Sequence, residues 1–553
     1  MTSLRQKQVV YGWTKGMVRN GGPASVPHDG IYEAKNVYID ASGAMVVRPG
    51  LRKWKTRPLS DPDITYRIGG MATTYQRTAA TEAPRILVIG ERFADGEVSL
   101  EVWAWRVGQR GPTNPVWHQI ASGLRPSRLA STASIMEQII IGYSRSDTPL
   151  IWDSRMDHMA RPLTSAPDGN LVGNHLGRLV VTGSSSDPSG LYMSAVADVE
   201  DFGSSYAAYI DVNSGDGDRI VAIDTSFFGQ LIVFKRRSIH KIQGSSSDPA
   251  TGDPFRRTPI SDRIGTIGPG TVARVGNDIL FLSDRGIHAL SATEKYGDVE
   301  LANLSGDISD YFLQIPKDDL ELARAIYDRS LGLVYFMMPS LTLVFDPIRK
   351  AWYEWDVRAL AATSVFIDGI GSVVFGMDNE GDIFSLEEDQ SFDDIRSGGD
   401  YIDGQIEWKI STGELNAGNP TSEKNWRDLR IHFSTTGGGN AEENPDAHFG
   451  FTVDREHLAS AAREPLPGAP NNTFGFNPYG DIGWGDVPNY WYGIVTERGT
   501  ATFSLDRYGV ALRVHLWPYG PSSTVPIRLM GLEAEYLPVV PTRRLVRSGV
   551  AGG

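Results

Sequence analysis

Gln230-Leu231-Ile232-Val233-Phe234-Lys235-Arg236-Arg237-Ser238-Ile239-His240-Lys241-Ile242-Gln243-Gly244 contains a plan that recurs along the chain. An apolar run, Leu231 to Phe234, enters a short polar turn and returns with Ile239 and Ile242 flanking His240 and Lys241, the pattern of a β-hairpin. A run that is apolar at every position, rather than at alternate ones, belongs to a strand covered on both faces.

Six further hairpins of the same kind are legible. They pair 86–89 with 98–103, 139–141 with 150–152, 179–181 with 191–193, 279–282 with 287–290, 333–337 with 341–345, and 373–375 with 383–386. Counting the opening one, seven hairpins start 40 to 54 residues apart, the period of four-stranded propeller blades. Strands ahead of the hairpins (220–223, 265–268 and 271–275) read as innermost strands, and those after them (117–120 and 352–355) as outer ones. The expected fold is all-β: a seven-bladed β-propeller over 61–390. Two stacked sandwiches fit the strand count too, but not the even spacing.

On either side of that array the pattern changes. Residues 1–60 carry a hairpin around the turn 40–43 and read as an N-terminal arm that packs on or completes the propeller. A helical pattern of one or two turns interrupts the array at 318–327. Residues 391–404, acidic and Gly-rich, read as a linker. Alternating strands at 406–410, 428–433, 449–453, 501–505, 511–516, 526–530 and 532–536 are irregularly spaced, with a long loop at 459–490. They predict a C-terminal antiparallel β-sandwich of jelly-roll type over 405–541. A flexible basic tail is expected over 542–553.

Composition narrows the chemistry. The 553 residues include no cysteine, which removes disulfides, thiolate metal sites and cysteine nucleophiles together. The net charge of −14 opposes wrapping of nucleic acid, which depends on Lys and Arg neutralising phosphates, but does not oppose a surface that DNA slides past, where repulsion prevents sticking. No run of about eighteen apolar residues suggests a membrane span. No charged-then-apolar leader opens the sequence, so the expectation is a chain made and kept in the cytosol unless it leaves as part of something larger.

Catalytic signatures are scarce. No Gly-x-Ser-x-Gly elbow stands between strand and helix, the ten histidines are scattered, and neither usual phosphate-binding loop occurs. Ser185-Ser186-Asp187-Pro188-Ser189 approaches the Ser-x-Asp-x-Gly-x-x-Trp turn of sialidase-type propellers but lacks its glycine. Asp346 and Asp368 stand near strand ends as a glycosidase carboxylate pair would. The segments 378–382 and 211–218 alternate oxygen ligands as calcium loops do, and hairpin turns rich in Asp and Gly look the same without an ion. Trp484, Trp491 and Trp517 suit either sugar stacking or a sandwich core. The expectation is no enzyme, no cofactor and no metal. Lys235, Arg236 and Arg237 form the densest basic cluster of the folded body, a candidate subunit or DNA contact against the plainer reading of a solvated turn.

Ala34-Lys35-Asn36-Val37, followed after a turn by Val47-Arg48-Pro49-Gly50, resembles the opening of bacteriophage tail hub or tail nozzle proteins of short-tailed phages. Two further stretches add to the resemblance: Asn174-His175-Leu176-Gly177-Arg178-Leu179-Val180-Val181 with Tyr192-Met193-Ser194 and Asp201-Phe202, and 231–239 itself. The resemblance covers the arm and the propeller and leaves the last domain unmatched. It implies a virion structural protein of the head-to-tail connection: a homo-oligomeric ring, a hexamer, below the portal and adaptor proteins. That ring retains the packaged genome, lets double-stranded DNA pass at ejection without tight binding, and offers a platform for tail fibres or spikes. A host-glycan-binding or depolymerising tail protein, and a baseplate or tail-tip protein of a long-tailed phage, are the alternatives.

Overall fold

A computed structural model describes residues 5–55, 65–75, 84–94, 96–106, 117–155, 157–246, 252–291, 303–367, 370–377, 383–387, 392–397, 400–435, 447–454, 490–495, 499–509, 511–518 and 527–539. The chain is all-β and divides into two compact units, Pro49–Gly404 and a second made of Met1–Arg48 with Gln405–Gly553.

Within 49–404, strands gather into small antiparallel sheets in chain order, and all seven expected hairpins are paired. The first sheet holds Thr65–Tyr75, Pro84–Ala94, Glu97–Arg106 and His118–Leu124. The second holds Ser131–Ile135, Gln138–Gly142, Leu150–Trp152 and Arg161–Pro162, and the third Leu171–His175, Arg178–Thr182, Gly190–Met193 and Ala208–Asp211. Ile220–Phe227, Gln230–Lys235, Ile239–Gln243 and Arg256–Ser261 make the fourth. The fifth has Val272–Val275, Asp278–Ser283 and Gly286–Ala289, extended by a bridge between His288 and Asn303. Arg324–Asp328, Leu333–Met337, Thr342–Asp346 and Ala351–Trp355 form the sixth run. The seventh joins Ala359–Ile367, Ile370–Met377 and Ile383–Glu387 to Gly50–Lys55 from the start of the chain.

The uninterrupted apolar runs have a simple cause. Ile139 and Ile141 pack with Leu87, Ile89 and Leu100 of the first sheet, while Ile140 between them packs with Leu179 and Val181 of the third. Val180 turns toward Leu231 and Val233 of the fourth sheet, and Ile232 and Phe234 toward Ile279 and Phe281 of the fifth. Side chains alternate sides along a strand, so a strand whose sheet has a neighbour on each face must be apolar at every position. Ala325 N donates to Gly270 O at 2.7 Å between fifth and sixth, and the Tyr335 and Phe375 rings lie 5.8 Å apart between sixth and seventh. Ile68, Ile86 and Val88 of the first sheet then pack with Ala361, Val365 and Val374 of the seventh.

The other unit has two sheets. One orders Gly499–Gly509, Lys424–Thr435, Ile527–Pro538, Met45–Val47 and Val37–Ile39, with Gln6–Tyr11 also on Ile527–Pro538. The other runs from Gly16–Met17 and Gly30–Lys35 through Lys409–Thr412 and Arg513–Pro518 to Ala447–Asp454 and Tyr490–Val495.

Several expectations change. The N-terminal arm divides: Gln6–Tyr11 and Gly30–Lys35 pair with strands of the last 150 residues, and Gly50–Lys55 joins the seventh sheet. The expected linker is a hairpin of Phe392–Ser397 and Asp400–Gln405, tied to Gly50–Lys55 by Leu51 N donating to Asp393 Oδ1 at 2.8 Å. Residues 265–268 are not a strand; the innermost strand there is Val272–Val275. The helix at 318–327 is Lys317–Leu322, and Arg324–Asp328 is already strand. The strands expected at 526–530 and 532–536 are one, Ile527–Pro538. The tail 542–553 and most of the loop 459–490 lie outside the described residues. No helix among the described residues is long and apolar enough to cross a membrane.

Candidate functional site

The basic turn is where the sequence placed a contact, and the structure divides its three residues. Lys235 ends the strand Gln230–Lys235 and is fully buried. Its Nζ donates to Asp216 Oδ1 and Oδ2 at 2.9 Å each, to Ser189 Oγ and Asn213 O at 3.1 Å, and to Asp218 O at 3.2 Å. A buried ammonium is tolerated only when its charge is paired and its protons are bonded, as here. Asn213 and Gly217, both at positive φ (61° and 69°), bend the 213–217 turn so that its oxygens face inward. Lys235 is therefore removed from the candidate contact: no surface partner reaches it.

Burial raises the Asp216 carboxyl, but the Lys235 hydrogen bond, the Asp218 backbone N–H and Asn213 outweigh it and hold it below its ordinary value. These groups belong to the segment 211–218, whose oxygens alternate as those of a calcium loop or of an ion-free acidic turn do. In the fold a lysine of the same chain sits among them, and Asp211 is spent on Ser214 N and Oγ, both at 2.9 Å. Among the described residues no three His, Asp or Glu side chains gather as a metal site. The other loop, 378–382, lies outside the described residues.

Arg236 bridges to Glu321 at 2.8 Å and Asp284 at 3.1 Å, clamping the fourth sheet to the turn of the fifth and to the helix Lys317–Leu322. The Glu321 hydrogen bond holds its guanidinium above the ordinary range, against the effect of burial. Arg237 is exposed, with its backbone N–H on Asp218 Oδ2 at 2.9 Å. A polar cleft of about 390 Å³ opens beside the turn, bordered by Ser189, Ser214, Asp218, Arg219 and Arg236.

A second site escaped the sequence. Arg324 begins the first strand of the sixth run, yet its Nη2 donates to Gly69 O of the first sheet at 2.7 Å and lies 3.4 Å from Ala130 O beside the second. Its Nε is sealed from solvent and has no acceptor. With no carboxylate to offset it, burial pushes the guanidinium down to about 10. Glycine makes the room: a Cβ on Gly270 would stand 2.1 Å from Arg324 Cδ, and one on Gly69 would stand 2.4 Å from Arg128 O. The signal was Gly-Pro-Gly at 268–270 and Gly-Gly at 69–70, but an acceptor 255 residues away in sequence is invisible without the fold.

First strands of neighbouring sheets are tied in the same way. Asn174 Nδ2 donates to Ser134 O at 3.0 Å, His175 Nδ1 to Thr225 O at 2.8 Å, and Arg274 pairs with Asp224. Arg324→Met is expected to cost the 49–404 unit about 2 kcal/mol. Gly270→Ala should cost a similar amount by displacing the guanidinium, and the double variant little more than either. Additive losses in urea titrations would disprove the shared contact.

Of the remaining candidates, Asp346 is buried as the acceptor for Ile348 N at 2.9 Å and Arg349 N at 3.0 Å, with Arg349 Nη1 on its other oxygen. It closes a turn. Asp368 and Trp484 lie outside the described residues. Trp491 lies on the strand Tyr490–Val495 and Trp517, half-buried, on Arg513–Pro518.

No family model matches this chain, and no curated protein sequence does. Solved structures similar to it include a gluconolactonase from Xanthomonas campestris (12% identity, 46% of this chain and 85% of that one, TM-score 0.27). An exo-β-1,3-galactanase from Phanerochaete chrysosporium follows at 8% identity, covering 88% of this chain and 100% of that one, with TM-score 0.25. A family 43 arabinoxylan arabinofuranohydrolase from Bacillus subtilis matches at 9% identity over 84% of this chain and 95% of that one, with TM-score 0.21. The expectation that the chain is no enzyme is corrected by these neighbours, which are glycoside hydrolases and a lactonase. At such scores the likeness carries no argument for any particular activity.

Proposed function

We propose that this chain is a structural component of a phage virion, a tail hub or nozzle subunit that forms a homo-oligomeric ring below the portal and adaptor. The observation that carries the reading is the segment 34–50, whose resemblance to that family rests on residues with a built role. Asn36 is fully buried at φ 54°. Its Nδ2 donates to Glu407 O at 2.7 Å, its Oδ1 accepts from Arg48 Nε at 3.1 Å, and its O accepts from Arg48 N at 2.9 Å. The Asn and the Arg of the motif thus hold each other, and Pro49-Gly50 follows where the chain passes from one unit to the other.

The same proposal takes 50–404 as a seven-bladed β-propeller. In support stand seven successive antiparallel runs of three or four strands, each packed on the next, the first packed on the last, and Gly50–Lys55 completing the seventh. A late blade completed by the earliest strand fastens such a closed array, since no sheet keeps a bare face. The two sheets of the other unit are read as a β-sandwich. Arg324, reaching from the sixth run to the first and second sheets, crosses the middle of such an array, so DNA would pass between copies rather than through one propeller.

Gold-labelled antibody against this chain, applied to purified particles and viewed by electron microscopy, is expected to mark the tail below the portal. Label on the head, or none on intact particles, would overturn the reading. Duplex DNA of mixed sequence is expected to bind only weakly at low salt, where phosphate contacts are strongest, and nanomolar affinity would defeat the non-adhesive wall. Cleavage of host capsule by the isolated protein would favour the depolymerising alternative.

A further inference from the structure

Three hairpin turns in consecutive sheets share an unfavourable choice of residue. Two-residue turns join Ile135 to Gln138, His175 to Arg178 and Phe227 to Gln230. Both central residues of each lie at positive φ: Met136 and Glu137 at 46° and 65°, Leu176 and Gly177 at 51° and 75°, Phe228 and Gly229 at 50° and 73°. That conformation calls for Asn, Asp or Gly in the first position, because a larger side chain crowds its own backbone. Met, Leu and Phe stand there instead, and they point into solvent, 55%, 49% and 66% exposed.

The turns are neighbours. Each follows the first strand of its sheet, so all three lie at one end, and the Asn174 to Ser134 and His175 to Thr225 hydrogen bonds bind them side by side. Val196, also 55% exposed, joins them: Ala197 N donates to Gly177 O at 2.9 Å, and Val196 Cγ1 lies 3.8 Å from where a Gly177 Cβ would be. Four exposed apolar side chains, three held at a backbone cost, make a patch that packing within the chain does not account for.

We propose that Met136, Leu176, Val196 and Phe228 form a docking face for a protein partner that brings apolar side chains flanked by lysine or arginine. The flanking charge supports that chemistry. Ser154 Oγ on Glu137 O places 153–155 beside the first tip, with His158 bonded to Asp153, and 197–200 lies beside the second. The tips and these segments carry Glu137, Asp153, Asp157, Asp198 and Glu200, against Arg155 and His158, both on Asp153, and Arg161 of the strand Arg161–Pro162, paired with Glu200. Near the third tip, Asp224 and Arg274 pair with each other. The border is net negative, which disfavours a second copy of a chain of charge −14 and favours a basic border opposite. This face stands independently of the virion reading.

The test uses the full chain and the variant Met136→Asn/Leu176→Asn/Phe228→Asn. Because asparagine suits the turn and these side chains are about half exposed or more, Phe228 meeting only the ring of its neighbour Phe227 edge-on at 4.8 Å, the variant should be at least as heat-stable as the parent. A fluorescent amphipathic peptide with Leu and Phe on one face and Lys on its flanks should bind the parent, and the variant should bind it about tenfold more weakly although its charge is unchanged. The same peptide with Glu for Lys should bind neither. A clear fall in melting temperature would make the side chains structural and overturn the proposal. Equal peptide binding by both proteins, or parent self-association in sedimentation that the variant abolishes, would overturn it as well.

Discussion

Lys235→Met is expected to lower the unfolding free energy of the 49–404 unit by about 3 kcal/mol, the lower end of the range for breaking a buried ion pair. The lower end applies because the Asp216 side chain keeps 23% exposure and water takes up part of its charge. Methionine fills the space but leaves Asp216, Asn213 O and Asp218 O facing an apolar group, and Ser189 Oγ without its donor. The loss has a pH signature. Asp216 is held below its ordinary value, so its contribution is fully present above the unfolded value near 3.8 and disappears as pH falls through the lower folded one. Urea titrations from pH 7 downward should therefore show the gap between parent and variant narrowing in acid. A gap absent at pH 7 would show that the Lys235 cluster holds nothing together, and a gap unchanged down to pH 2 would show that the Asp216 charge is not what it holds.

Asn36→Ala is expected to cost the unit formed by 1–48 and 405–553 about 4 kcal/mol. Alanine at φ 54° is strained by about 1 kcal/mol, and the Glu407 O bond and the buried Arg48 Nε bond are lost together. Asn36→Gly separates the contributions. It relieves the backbone but restores neither bond, so it should recover only about 1 kcal/mol of the loss. Parent-like stability in the glycine variant would mean that the Asn-to-Arg pairing is ornamental and that the motif is conformational only.

Much of the array was legible because its cause is local. A strand covered on both faces leaves a run such as Ile139-Ile140-Ile141 or Leu231-Ile232-Val233-Phe234, and each run was read with its correct hairpin partner. The short helix before Arg324 and the strand content of the C-terminal region were legible for the same reason. What failed depended on partners far away in sequence. Gln6–Tyr11 lies in the expected arm, but its pairing from Gln6 with Tyr536 to Tyr11 with Gly531 is a choice among many exposed edges. Gly50–Lys55 pairs in the seventh sheet while Met45–Val47, just before it, pairs with Ile527–Pro538, and the sequence does not mark where the arm divides.

The basic turn was misjudged because charge was read as exposure. Lys-Arg-Arg has one meaning in composition and three in space: Lys235 inside, Arg236 bridging two elements and Arg237 outside. The Gly-rich acidic loop 211–218 alternates oxygens as a cation site would, and the cation among them is a lysine seventeen residues or more downstream.

The sequence by itself determined the all-β class, the seven hairpins and their spacing, and the absence of thiol chemistry, because periodicity and composition act residue by residue. Tertiary structure alone decided that residues 1–48 join the C-terminal segment, that the first sheet packs on the last, that Arg324 spans from the sixth run to the first sheet, and that Met136, Leu176 and Phe228 stand together in solvent. Each of those outcomes is set by the burial and pairing of groups far apart in the chain. A single sequence carries the donors, acceptors and apolar faces, but which of them meet is fixed only when the sheets pack.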